Sequence, residues 1–275
     1  MAKGRGEAGP IGVFDSGVGG LTVFREIARA VPSEALIYLG DSARVPYGTK
    51  SPETIIRYSL QAAAHLLTHD IRMLVVACNT ATASALPALQ KQLSIPVIGV
   101  VEPGARAAVH ATAGRIGVIA TEGTVKLKAY TRAIHALRPD VEVIESAAPL
   151  FVALAEEGWA NTHVAREVAE IYLAPLIDAG IDTLVLGCTH YPILRGTIEK
   201  VVGEKVTIVD SAETTAAAVK AILMSPLPEA QRVEKRRVTG PPRHHFLVTD
   251  AEERFRRIAG EFLEQEIDRL ELVTL

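Results

Sequence analysis

The chain has 275 residues, enough for one large domain or two medium ones with a sizeable core. Hydrophobic residues make up 48% and charged residues 22%, the balance of an ordinary globular protein. A net charge of −3 gives no electrostatic reason to expect nucleic acid or an anionic membrane as the main partner.

Residues 1–10 are polar and glycine-rich, without the apolar stretch of a signal peptide, and no apolar run approaches a membrane span. A cytoplasmic protein is expected. In that compartment Cys78 and Cys188, the two cysteines of the chain, are free thiols rather than a structural disulfide. Short apolar runs predict strands at 11–14, 35–39, 73–77 and 97–101, then at 116–119, 141–144, 183–186 and 206–209. Helical patterns lie between them. Alternation on this scale predicts an α/β fold with parallel sheets covered by helices on both faces.

The two series resemble each other. Gly12-Val13-Phe14-Asp15-Ser16-Gly17 pairs with Gly117-Val118-Ile119-Ala120-Thr121-Glu122-Gly123, and each series then reaches a strand that ends in cysteine. The expectation is two similar doubly wound domains, each presenting one thiol. A helix is predicted over 214–224, a short strand over 246–249 and an amphipathic helix over 251–262. This tail has no cysteine-bearing strand, so it is expected to pack back on the first half. The resulting domains are 1–103 plus 213–275, carrying Cys78, and 104–212, carrying Cys188.

Asp15-Ser16-Gly17-Val18-Gly19-Gly20 lies between a strand and a helix start. Glycines let a backbone approach a ligand, and free amides at a helix start attract an anion, so a carboxylate or phosphate cradle is one reading and a tight turn the other. The lysine of a P-loop is missing. Cys78-Asn79-Thr80 and Cys188-Thr189-His190 follow buried strands, where ligands bind in parallel sheets. A thiol at such a helix start is expected to have a lowered pKa, and its polar neighbours can hold a substrate oxygen. The rival reading is a small buried hydrophobe. A Cys₂His zinc site from Cys78, Cys188 and His190 is also conceivable. Against it, Cys188 and His190 are two apart at a strand end and are not expected to converge.

Further along, Tyr47 and Gly48 sit in a loop that can line a pocket, the tyrosine offering a hydroxyl and the glycine an amide. The pair Glu156-Glu157 reads as a solvated helix end. The run Arg232-Val233-Glu234-Lys235-Arg236-Arg237 lacks interleaved aromatics and reads as a solvated loop, not a nucleic-acid site.

In combination these motifs resemble the glutamate racemases, cofactor-independent enzymes that make D-glutamate for bacterial cell walls. The likeness runs from Phe14-Asp15-Ser16-Gly17-Val18-Gly19-Gly20 through Ala77-Cys78-Asn79-Thr80 and Ala120-Thr121-Glu122-Gly123-Thr124 to Gly187-Cys188-Thr189-His190-Tyr191-Pro192. The resemblance implies that Cys78 and Cys188 are the acid/base thiols, assisted by Asp15, Glu156 and His190. It implies substrate contacts from Asp15, Ser16, Tyr47, Gly48, Asn79, Thr80, Thr121, Thr189 and His190. It further implies pseudo-twofold symmetry between the two domains, no cofactor and no metal, a small-molecule substrate (glutamate), no nucleic-acid or membrane partner, and a homodimer. Aspartate racemases share the two-cysteine plan and are the nearest alternative. A non-catalytic amino-acid-binding protein and a metal-dependent hydrolase are more distant ones. The segment 225–245 has no assigned role.

Overall fold

The computed structural model describes residues 9–225, 243–267 and 269–275. The basic run at 232–237 and most of 225–245 lie outside the described residues. The chain opens with β1 (Ile11–Asp15), α1 (Leu21–Ala30), β2 (Leu36–Gly40), α2 (Pro52–Leu67), β3 (Met73–Val76), α3 (Asn79–Gln92) and β4 (Val97–Gly99). Helix α4 (Val101–Ala111) leads into β5 (Arg115–Ala120), α5 (Glu122–Lys126), α6 (Ala129–Leu137) and β6 (Glu142–Ala147). There follow α7 (Leu150–Glu156), α8 (His163–Asp178), β7 (Thr183–Gly187), α9 (Arg195–Val202) and β8 (Thr207–Asp210). Then come α10 (Ser211–Met224), β9 (His245–Val248), α11 (Glu252–Leu263) and β10 (Leu270–Leu272).

Among the described residues the strands form a six-stranded sheet ordered β10-β9-β2-β1-β3-β4 and a four-stranded sheet ordered β6-β5-β7-β8. Every pairing is parallel. The run β2-β1-β3-β4 and the second sheet have the same order, so the two halves are built alike. Strands β1, β2, β3 and β7 are buried along their whole length, as strands sandwiched between helices must be. Among the described residues no helix is long and apolar enough to cross a membrane.

Strand order fixes where ligands can go. In each sheet the chain leaves the first strand in one direction and returns to its other side, so β1/β3 and β5/β7 flank topological switch points. Crevices open there at the strand carboxyl ends. Asp15 and Cys78 stand at one such end, Thr121 and Cys188 at the other.

Three boundaries differ from the sequence expectation by two residues or more. The strand expected to reach residue 101 stops at Gly99, and Val100 already has helical backbone angles. Val101, Ala105 and Ala108 form the buried face of α4 on the second sheet, and a short apolar run alone does not separate strand from helix. Helix α10 starts at Ser211 rather than 214, because the Asp210 carboxylate accepts the Ala212 amide at 2.7 Å and caps it. Strand β6 continues to Ala147 because it is a half-exposed edge, where Glu145 and Ser146 are tolerated. Strand β10 was not expected; it extends the first sheet beside β9. Helix α4 spans the expected domain junction at 103/104.

Beside β2, the tail strand β9 completes the first sheet, with Tyr38 opposite Phe246. Phe246 meets Phe24 at 4.9 Å between ring centroids and Tyr38 at 6.3 Å. All three rings are buried. Phe246→Ala is expected to cost about 3–5 kcal/mol. A denaturant titration checks this, together with amide exchange that speeds up in β9 and β10 more than in β5–β8.

Candidate active site

The register of each sheet brings the functional residues to matching places. Phe14 pairs with Val76, and Ala120 pairs with Gly187. Continuing these registers sets Ser16 beside Cys78 and Thr121 beside Cys188. Both cysteines are free thiols, 6% and 5% exposed, and they line one pocket. That pocket holds about 520 Å³ of empty space, counted to its open mouth. Ser16, Tyr47, Gly48, Asn79, Thr80, Thr121, Glu156, Thr189 and His190 line it too, joined by Gly17, Val18, Val45, Pro46 and Val152. Asp15 is fully buried behind this wall and is not among the lining residues.

Cys78 caps α3, its sulfur accepting the Ala81 amide at 3.4 Å. The sequence reading expects such a place to lower a thiol pKa; for Cys78 the structure reverses that. Burial, then the negative charge of Asp15, push the thiol up to about 12 against the pull of Ser16 and the Ala81 amide. Asp15 is itself raised above its usual range by burial, opposed by the Gly17 and Gly20 amides and by His190. One of its oxygens accepts the Gly17 amide at 2.8 Å, while Oδ1 is buried with no hydrogen-bond partner in the protein.

Cys188 has a different neighbour. Its Sγ lies 3.8 Å from His190 Nδ1, so the expectation that these side chains fail to converge is overturned. The reason is local: after Cys188 the chain folds into a tight turn, with Tyr191 N donating to Cys188 O at 3.1 Å and His190 in a helical conformation. The ring therefore turns back over the sulfur. Its other nitrogen lies 3.0 Å from Glu156 Oε1. Burial alone would lower the His190 pKa, but the bonds to Cys188 and Glu156 outweigh it and hold the imidazolium up to about 10. Glu156 is held below its usual value: burial opposes this, and His190 and Arg254 prevail. Arg254, on α11, donates to Glu156 Oε2 at 2.9 Å. Glu156 is thus not the solvated helix end expected, whereas Glu157 is exposed.

The remaining walls tie the halves together. Thr22 Oγ1 donates to the Thr189 carbonyl at 2.8 Å. The Thr80 and Thr121 hydroxyls meet at 2.8 Å, with Thr124 3.0 Å from Thr121. Tyr130 donates to Asn79 Oδ1 at 2.7 Å, which leaves the buried Asn79 Nδ2 without a protein partner and available to a ligand oxygen. Tyr47 does not offer its hydroxyl to the pocket as expected: it donates to Asp41 Oδ2 at 2.5 Å, which also takes Arg44 Nε at 2.6 Å. Its burial holds the phenol protonated, with Asp41 adding to the effect. Arg254, Tyr130, Thr22 and Asp41 were not singled out in the sequence. Each acts through a contact more than five residues distant, which the local sequence does not show; Thr22 and Asp41 stand in stretches that resemble the family's motifs, without a role given to them there. Among the described residues no group of three or more His, Cys, Asp or Glu could hold a metal ion.

The Asp/Glu/hydantoin racemase family model matches residues 11–219. The chain belongs to that family. A curated glutamate racemase of Geobacter metallireducens is 56% identical over 255 residues, 92% of each chain. A solved glutamate racemase isoform of Bacillus anthracis superposes with a TM-score of 0.90 at 42% identity, covering 97% of this chain and 98% of that one. The Francisella tularensis glutamate racemase, solved in complex with D-glutamate, gives 0.88 at 37% identity, with 97% of each chain covered.

For this racemase the raised Cys78 thiol has a direct readout. In a Cys188→Ser variant without substrate, alkylation of Cys78 by iodoacetamide should rise about tenfold per pH unit from pH 8 to 10 without a plateau. A plateau near pH 8–9 would show an ordinary thiol.

Proposed function

We propose that this racemase interconverts L- and D-glutamate by passing the α-proton between two thiols without a cofactor, and that the D-glutamate supplies peptidoglycan synthesis. The observation that carries this reading is one pocket lined by two cysteines, each from the carboxyl end of the equivalent strand of a like-ordered sheet. The sequence likeness to glutamate racemases supports the substrate. We also take the chain to divide into 1–103 plus 213–275 and 104–212. Pairing of β9 with β2 and packing of α10 on α1 support this division.

Racemisation removes a proton from one face of the α-carbon and returns one to the other, so two bases on opposite sides suit it. In the L-to-D direction Cys188 works as thiolate beside the His190 imidazolium and takes the α-proton. Cys78, which the buried Asp15 carboxyl helps keep protonated, delivers its own proton to the opposite face. One proton leaves and one arrives, and the thiols exchange roles for the reverse direction. The carbanion beside a carboxylate needs donors aimed at that carboxylate. Asn79 Nδ2, the amides opening α3, and the Ser16, Thr80, Thr121 and Thr189 hydroxyls are the groups we assign to this. Their closure around the substrate excludes water and strengthens each bond.

Incubation with L-glutamate in heavy water, without pyridoxal phosphate, should remove the optical rotation and place deuterium on the α-carbon. Cys78→Ala and Cys188→Ala should each slow racemisation about 10²- to 10⁴-fold. Full activity in either variant overturns the two-thiol scheme. The family model spans aspartate racemases as well, so kcat/KM for the two amino acids, measured side by side, decides the substrate; faster turnover of aspartate rejects the glutamate assignment.

A further inference from the structure

The tail helix α11 does more than cover the first sheet. Arg254 reaches from it to Glu156 Oε2 at 2.9 Å and to Glu157 Oε1 at 3.3 Å. Two turns further on, the Phe262 ring stands edge-on to His190 with centroids 5.6 Å apart. The same helix therefore touches both the carboxylate and the imidazole that stand behind Cys188. Glu156 has one oxygen on His190 and the other on Arg254, so its rotation is fixed by two partners.

We propose that Arg254 is a positioning residue for Cys188, holding the outer oxygen of Glu156 so that the inner oxygen stays on His190 and the imidazole stays on the sulfur. The inference rests on the two-thiol reading above. An exposed arginine on a surface carboxylate contributes little, because both side chains are free to move. Here Glu156 is 23% exposed at its side chain, and its second oxygen is already committed, so the arginine acts on an ordered carboxylate. Loss of Arg254 frees that carboxylate to rotate away from the imidazole.

The charged groups facing Glu156 set the sign of the effect. His190 and Arg254 are the cations acting on it. Asp15 lies close enough for its charge to act on Glu156. Glu157 follows it at the C-terminal cap of α7, and Glu261 of α11 stands beside Gly158. Without Arg254, His190 is the cation left to hold the carboxylate ionised against its burial and the charge of Asp15. Glu156 then binds a proton at higher pH, and the form that can accept from His190 is lost earlier as pH falls.

The experiment is a pH–rate series on the full-length enzyme. Arg254→Gln should lower kcat/KM about fivefold. The loss must be equal in both directions, since the equilibrium constant of racemisation is one. The acid limb of the profile should move to higher pH. Arg254→Lys, which keeps the charge, should restore most of the shift, and Glu157→Gln, which removes a neighbouring acid, should not move the limb to higher pH. Combining Arg254→Gln with Glu156→Gln should slow the enzyme no further than Glu156→Gln alone. An Arg254→Gln enzyme that melts at lower temperature but keeps the wild-type acid limb overturns the proposal and leaves a docking contact. Losses that add in the double variant overturn it as well. Full activity in Cys188→Ala would instead remove the underlying two-thiol reading, so the two failures are distinguishable.

Discussion

At Gly19 the loop leaving β1 runs against the loop that carries Cys188, with no room for a side chain between them. A Cβ there would lie 2.4 Å from Thr189 Oγ1 and 2.5 Å from the His190 ring. Such distances are far inside van der Waals contact, so any other residue would force the Thr189 hydroxyl and the His190 ring to move. The bond from Thr22 to the Thr189 carbonyl lies at the same approach. A second close approach stands across the pocket, where a Cβ on Gly123 would meet the Gly48 carbonyl at 2.8 Å. The halves are thus pressed together by glycines at two sides of the space they enclose.

Like-ordered sheets do not make like environments. Cys78 shares its pocket end with a buried carboxyl, and Cys188 shares its end with an imidazolium backed by a second carboxylate. The first setting holds a proton on sulfur; the second offers a positive partner to it. The backbone symmetry brings two identical side chains to equivalent points, and the flanking residues, Asp15 against His190, break it electrostatically.

Much of the fold was readable because buried parallel strands are continuous apolar runs. The strands at Ile11, Leu36, Met73 and Thr183 announced themselves, and so did the two cysteines at the ends of such runs. Where the apolar run belonged partly to a helix, as at Val100 and Val101, the pattern was ambiguous. The pocket walls were legible as short motifs, but the direction of a side chain was not. Nothing in the sequence around Tyr47 shows its hydroxyl turned to Asp41, and nothing in Cys188-Thr189-His190 shows the turn that folds the ring over the sulfur. Arg254 was hidden for another reason. It sits among Glu252, Glu253, Arg256 and Arg257, a pattern that reads as a solvated helix face.

The pairing of β9 with β2 has a consequence for how the molecule is made. The contacts that join the tail to the first sheet span more than two hundred residues, as between Ala43 and Thr249, 206 apart. The second sheet is contiguous in the chain from Arg115 to Asp210. On the ribosome, the second sheet can therefore assemble while the first still lacks its outer strands. Arg254 and Phe262 emerge later still, so the surroundings of His190 are completed only by chain that follows both sheets' cysteine strands. A nascent chain with both thiols already synthesised carries the chemical groups of the pocket well before it carries the helix that contacts them.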